Sequence, residues 1–333
     1  MADASPASQQ PGGWPDWPAY ALIDDLLPTL ERWSAAGKRY ALATLIEVVG
    51  SSPRPAGSEM AVNEAGEMAG YVSGGCVEAA VATEALAALA DGRPRLLDYG
   101  AGSPVLDVQL SCGGRIRILV RAIVDGGGYA ARLRRARSER RPLTIATDLE
   151  SGAVSFEDDG DGKVTAEGLQ NSCYRRRQQT PLRLILVGGD PIVLALLQMA
   201  PMFSIETVLL RPRGPAATTT LQPQPALYDR RGIATALADL HLDSRCAIYT
   251  LSHDADTDHA VLAAALRSPA YCIGALGSRR KAQTRIERLR ADGFDDALLA
   301  RLRTPAGLNI GARTPQEIAL SILGELIAER RAD

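Results

Sequence analysis

Aromatic side chains are scarce in this chain: only 5% of its 333 residues are Phe, Trp or Tyr, with three Phe and three Trp. A base-stacking surface for single-stranded nucleic acid therefore has little to be built from, and the core has to be aliphatic. Net charge is scarce too. The 37 basic and 39 acidic residues sum to −2, which gives no general field for phosphate backbones or anionic membranes. Three histidines argue against a multi-His metal centre. Five cysteines, at 76, 112, 173, 246 and 272, are odd in number and widely spaced, with no CxxC pair. That pattern suggests neither a disulfide framework nor a structural zinc site, so reduced thiols are expected. No apolar run is long enough to cross a bilayer. Residues 1–17 lack the basic start and apolar stretch of a signal peptide and read as a disordered tail, so a cytoplasmic chain is expected.

What is present is an ordinary globular composition, 46% hydrophobic and 23% charged, at a length that suits two domains. Residues 19–36 carry apolar positions at helical spacing, and residues 40–49 form a buried strand running into the Gly/Pro loop 50–57. A hairpin is expected at 60–62 and 68–72 around the turn Asn63-Glu64-Ala65-Gly66. Residues 73–78 then open an Ala-rich helix ending near 90. A strand starts at 96–97, residues 105–110 lead into Ser111-Cys112-Gly113-Gly114, and an alternating strand covers 115–120, followed by a basic helix at 129–141 and short strands near 143–147 and 154–156. Residues 157–180 are polar, with an acidic run and Arg175-Arg176-Arg177, and read as a surface connection. From 182 onward strands and helices alternate, the pattern of parallel strands with helical crossovers in a doubly wound sheet. The last helix starts with Thr314 as cap, Pro315 and Glu317, a capping box. The expected organisation is α/β throughout: a tail at 1–17, an N-terminal mixed α/β domain at 18–156, a connector at 157–180 and the C-terminal parallel sheet at 181–330.

Four segments carry candidate chemistry. In Ser73-Gly74-Gly75-Cys76 a thiol stands near a helix N-terminus, where unpaired N–H groups and the helix dipole favour thiolate; the alternative is a small buried residue. Cys112, followed by two glycines, shares the setting or marks a tight turn. Gly188-Gly189-Asp190 lies between a strand and a helix, where a dinucleotide loop belongs, but it is not GxGxxG, and Asp190 repels pyrophosphate. After the next strand stand Arg211 and Arg213, which suit a 2′-phosphate rather than ribose hydroxyls, or are plain surface arginines. Gly277-Ser278-Arg279-Arg280-Lys281 joins a strand to a helix with a Ser cap and three cations, an arrangement that attracts an anion. His253, Asp254, Asp256, Asp258 and His259 read as helix-capping residues, and no metal site is expected.

These segments together resemble the XdhC/CoxI family, accessory proteins for maturation of xanthine dehydrogenase-type molybdenum hydroxylases. The resemblance rests on residues 47–57, 70–78, 111–114, 276–281 and 304–319. It implies an N-terminal domain carrying the cysteine motif and a Rossmann-like C-terminal domain. It also implies a dimeric, non-catalytic chaperone that binds molybdenum cofactor, partners a cysteine desulfurase and delivers the cofactor to an apo-hydroxylase. In that reading Cys76 contacts the molybdenum centre or its sulfur, and residues 277–281 hold a phosphate. The sequence departs from many relatives at Gly188-Gly189-Asp190-Pro191, where they have Gly-x-Gly-His, and at Arg211-Pro212-Arg213, where they have Asp-x-Arg. The alternative is an NAD(P)-dependent oxidoreductase on the same scaffold, with Arg211 or Arg213 on NADP or NAD and Cys76 or Asp190 near the substrate.

Overall fold

The structure is a computed structural model that describes residues 20, 21, 23–103, 110, 113–158, 167–216 and 223–330. The expected tail at 1–17, the segment 105–110 apart from Leu110, and Cys112 lie outside the described residues. The chain divides into two compact units, Met1–Thr180 and Pro181–Asp333.

The first unit begins with β1 (Tyr20–Ala21) and α1 (Leu27–Ala35), followed by β2 (Tyr40–Val49), β3 (Glu59–Asn63), β4 (Met68–Gly70), α2 (Glu78–Asp91), β5 (Arg95–Gly100) and β6 (Arg115–Ala122). Then come α3 (Gly126–Ser138), β7 (Leu143–Asp148), β8 (Val154–Asp158), β9 (Gly168–Gln170) and β10 (Cys173–Gln178). One sheet has the order β1-β4-β3-β2-β6-β5, the other β8-β7-β10-β9. Because side chains alternate along a strand, β2 feeds two cores. Ala41, Ala43 and Leu45 pack with Val81, Ala85 and Ala88 of α2, whereas Tyr40 and Leu42 pack with Leu30 and Trp33 of α1, Tyr129 and Leu133 of α3 and Ile145 of β7.

Two expectations need correction here. The helix foreseen over 19–36 starts only at Leu27, with Pro28 in its first turn, because proline lacks the N–H that later turns require; Tyr20 and Ala21 instead pair in parallel with β4. The connector foreseen at 157–180 carries β9 and β10, with β10 running antiparallel to β7 over six residue pairs. Its arginines do not keep it at the surface. Tyr174 is buried, and Arg176 pairs with Glu59 at 2.9 Å, their side chains only 14% and 11% exposed, while its aliphatic stem packs on Gly57.

The second unit contains β11 (Leu182–Gly188), α4 (Pro191–Met199), β12 (Ile205–Leu210), β13 (Leu227–Asp229), α5 (Ile233–Asp239) and β14 (Cys246–Leu251). It continues with α6 (Ala255–Leu266), β15 (Cys272–Ala275), α7 (Arg279–Ala291), α8 (Asp296–Leu299), β16 (Leu302–Arg303) and α9 (Pro315–Arg330). All pairings are parallel, in the order β13-β12-β11-β14-β15-β16. Helices α5, α6 and α7 cover one face and α4 and α9 the other, the doubly wound arrangement expected. Strand order reverses between β11 and β14, which opens a crevice at their carboxyl ends. The capping box of α9 forms as expected: Glu317 N–H donates to Thr314 Oγ1 at 3.3 Å, and Thr314 N–H donates to Glu317 Oε2 at 2.9 Å.

Candidate functional site

In the first unit the motif loops meet at one end of the larger sheet. Gly114 approaches Ser51 so closely that no side chain fits between them, and Pro53 packs against Gly74. Arg54 fixes this arrangement from outside. Its guanidinium lies 4.2 Å from the Tyr71 ring centroid, donates to the Tyr71 hydroxyl at 3.2 Å and pairs with Asp24 at 2.5 Å.

Gly74 and Gly75 have φ of 101° and 114°, values that a side-chain-bearing residue rarely adopts, and this is why two glycines precede Cys76. The loop closes around Glu78, a residue to which the sequence reading gave no role. Its carboxylate folds back under its own helix start and accepts from the N–H groups of Val72 (3.1 Å), Ser73 (2.8 Å), Gly74 (3.1 Å) and Gly75 (2.9 Å). It also accepts from Val77 N–H at 3.2 Å and from the Ser73 hydroxyl at 2.6 Å. Burial pushes the carboxyl up, but the Ser73 hydroxyl and N–H and the Gly74 N–H outweigh it and hold the group below the usual carboxylate range. The loop N–H groups on either side of Cys76, those of Val72, Ser73, Gly74, Gly75 and Val77, are thus spent on Glu78, and the Cys76 N–H goes to Ser73 Oγ at 3.1 Å, so the loop offers the thiol fewer unpaired donors than the sequence reading expects. Cys76 is exposed on this locked loop. The signal available in sequence was an acidic residue in a helix's first turn.

Beside Gly50 and Gly113 the strands β2, β6 and β5 bear an open groove of about 720 Å³. Register places Glu47, Arg117 and Asp98 in one row across the three strands. Arg117 pairs with Glu47 at 2.8 Å, and Arg115 grips Asp98 through two bonds of 2.8 and 2.5 Å, holding that carboxyl below its usual range. None of these four residues was given a role from sequence, although Glu47 opens the matching stretch 47–57.

In the second unit Gly188, Arg211 and Gly277 all stand at or just beyond the carboxyl ends of parallel strands. Gly188 has φ 142° and lies against the Leu251 carbonyl. The Arg211 side chain rests on Gly189, and the Asp190 carboxylate caps α4 by accepting from Val193 N–H at 2.9 Å. Arg213 is close enough to Asp254 to help lower its pKa, behind the larger effects of the Thr257 hydroxyl and Asp256 N–H. At residues 277–281, Ser278 caps α7 through Lys281 N–H at 3.4 Å, and Arg279, Arg280 and Lys281 are exposed. The turn is supported by Arg285, which donates to the Leu276 carbonyl at 2.8 Å and pairs with buried Asp258. Asp258 in turn accepts from Thr250 at 2.5 Å. Asp254 caps α6, and His259 contacts Asp292 at 2.6 Å. Among the described residues no helix is long and apolar enough to span a membrane.

Known proteins share this architecture. Residues 33–100 match the XdhC and CoxI family and residues 184–326 the XdhC Rossmann domain. The molybdenum cofactor insertion chaperone PaoD of Escherichia coli (strain K12) is 31% identical over 319 residues, covering 94% of this chain and 92% of PaoD. A probable xanthine dehydrogenase subunit of Bacillus subtilis (strain 168) is 24% identical over 314 residues, covering 87% of this chain and 93% of that one. A crystal structure described as a xanthine dehydrogenase from Bacillus halodurans superposes with a TM-score of 0.76 at 22% identity, covering 92% of this chain and 96% of that one. The match to PaoD along nearly the whole length of both chains, with both family domains in order, identifies this chain as a member of the XdhC/CoxI family.

Proposed function

We propose that this protein binds molybdenum cofactor and delivers it to an apo-hydroxylase of the xanthine dehydrogenase type, turning over no substrate of its own. The observation that carries the reading is the presentation of Cys76: an exposed thiol on a loop held rigid by Glu78, where the 50–57, 73–78 and 113–114 segments meet. Cysteine sulfur is a soft ligand suited to a molybdenum centre or its terminal sulfur. The names of the relatives, an insertion chaperone and a xanthine dehydrogenase subunit, support the same cargo and target. In this reading Cys112 supplies a second thiol, a cysteine desulfurase is the sulfur donor, and the working form is a homodimer. On the second unit, the exposed Arg279, Arg280 and Lys281 at a capped helix start offer a basic turn to an anion.

The oxidoreductase alternative gains nothing from the dinucleotide loop. Arg211 covers Gly189 where a pyrophosphate would approach, and Asp190 spends the Val193 N–H that would help bind it. The test is purification from cells supplied with molybdate, with metal and pterin analysis. The wild-type chain is expected to retain cofactor, Cys76→Ala to lose most of it, and neither to consume NAD(P)H in steady state. Retention unchanged in Cys76→Ala removes the role given to the thiol, and NAD(P)-linked turnover removes the carrier reading.

A further inference from the structure

We propose that the groove on β2, β6 and β5 binds a 2-amino-4-oxopyrimidine ring, the ring that pterins and guanine share, together with an attached phosphate; this rests on the carrier reading. The groove's volume of about 720 Å³ falls within the ordinary range for small-molecule sites. Its polar content is unusual in being balanced: the Glu47–Arg117–Asp98 row and Arg115 place two acceptor-only and two donor-only groups on one sheet face. A bare phosphate would face two carboxylates, and a simple cation two guanidinium groups. A ligand that carries both a pair of adjacent N–H donors and an anion satisfies both signs.

The individual bonds separate the roles. Asp98 is gripped through both oxygens by Arg115, and its side chain is only 19% exposed. Glu47 is 41% exposed and accepts from Arg117 through one oxygen alone, so it keeps acceptor capacity for an exocyclic amine and the ring N–H beside it. Arg117 makes a single bond to Glu47, through Nη1, and keeps guanidinium donors for the phosphate. Val49 and Leu96, which also line the groove, are 57% and 46% exposed. Covering them with a flat ring recovers apolar surface now spent on water.

The experiment uses the full-length protein and a fluorescent 6-substituted pterin phosphate, titrated by anisotropy, with an unlabelled, non-fluorescent reduced pterin phosphate, GMP and CMP as competitors. The wild type is expected to bind the probe, and Glu47→Gln, which swaps an acceptor oxygen for a donor, to weaken binding at least tenfold. Arg117→Gln should weaken it and flatten its salt dependence. Displacement by GMP as well as by pterin assigns the site to the shared ring, and displacement by pterin alone to a pterin; either supports the proposal. Cytosine lacks the adjacent pair of N–H donors, so displacement by CMP as strong as by either overturns it. If Glu47→Gln does not fold, Val49→Lys at the exposed rim must weaken the probe instead. Binding unchanged in the folded variants overturns the groove while leaving the carrier reading intact. A wild-type chain that binds the probe at Glu47 but retains no molybdenum cofactor from cells overturns the carrier reading alone.

Discussion

At the residue scale the decisive group is Glu78 rather than the cysteine beside it. A carboxylate in a helix's first turn ordinarily contributes a few tenths of a kcal/mol through the dipole, but here it is buried and accepts from five backbone N–H groups and a hydroxyl. Deleting it strands those donors, and unmade bonds to a buried charge are expensive, so Glu78→Ala should destabilise the protein by on the order of 3 kcal/mol. Its folded pKa is depressed. The stabilisation is therefore fully present above the unfolded carboxyl value and is lost as pH falls through the folded one. Urea unfolding between pH 7 and pH 3 checks this: Glu78→Gln should lose less stability over that range than the wild type. An equal loss in both would mean that the carboxylate is not the group responsible. The Ser-Gly-Gly-Cys loop before α2 was legible because glycine pairs and a thiol are conspicuous in sequence. The locking role of Glu78 was not, because it depends on a side chain turning back on the loop that precedes it.

At the element scale, periodicity placed most strands and helices of the second unit, whose buried strands read as continuous apolar runs. It failed where packing uses arginine. β10 carries Arg175, Arg176 and Arg177, which a hydropathy reading assigns to solvent. Yet its pairing with β7 buries Tyr174 and joins Arg176 to Glu59 of the larger sheet. The groove row was hidden for a related reason: Glu47, Asp98 and Arg117 are far apart in sequence and meet only through strand register. The start of α7 was legible, since a Ser cap before three cations is an unfavourable placement for those charges unless an anion compensates. Replacing Arg279 and Lys281 together by Gln should therefore weaken binding of inorganic pyrophosphate several-fold and reduce its dependence on salt, measured by titration at two ionic strengths. Because both side chains are exposed, stability should change by less than about 0.5 kcal/mol. Wild-type affinity and salt slope in the double variant would make the turn a solvated surface.

At the scale of the whole molecule, length alone pointed to two domains, and the core composition of the structure gives that a physical meaning. Among the described residues, the clusters around β2, β6 and α2 and around α1, α3 and β7 draw their buried members from residues 26–145. The two clusters flanking the parallel sheet draw theirs, among the described residues, from residues 182–326. The second unit therefore has what an autonomous domain needs: a sheet covered on both faces, buried Leu, Ile and Val on each side, and a final helix whose capping box closes its own start. Its buried polar groups are also answered from within. Tyr249 donates to Glu325 at 2.6 Å, and Gly307 N–H donates to the same carboxylate at 3.1 Å. Residues 181–333 produced alone should thus unfold in one cooperative transition, with calorimetric and van't Hoff enthalpies agreeing. An Ile248→Ala substitution at the centre of the sheet should lower that transition by several degrees, at a cost of about 2–5 kcal/mol. A fragment that melts without cooperativity would show that the sheet draws stability from the first unit.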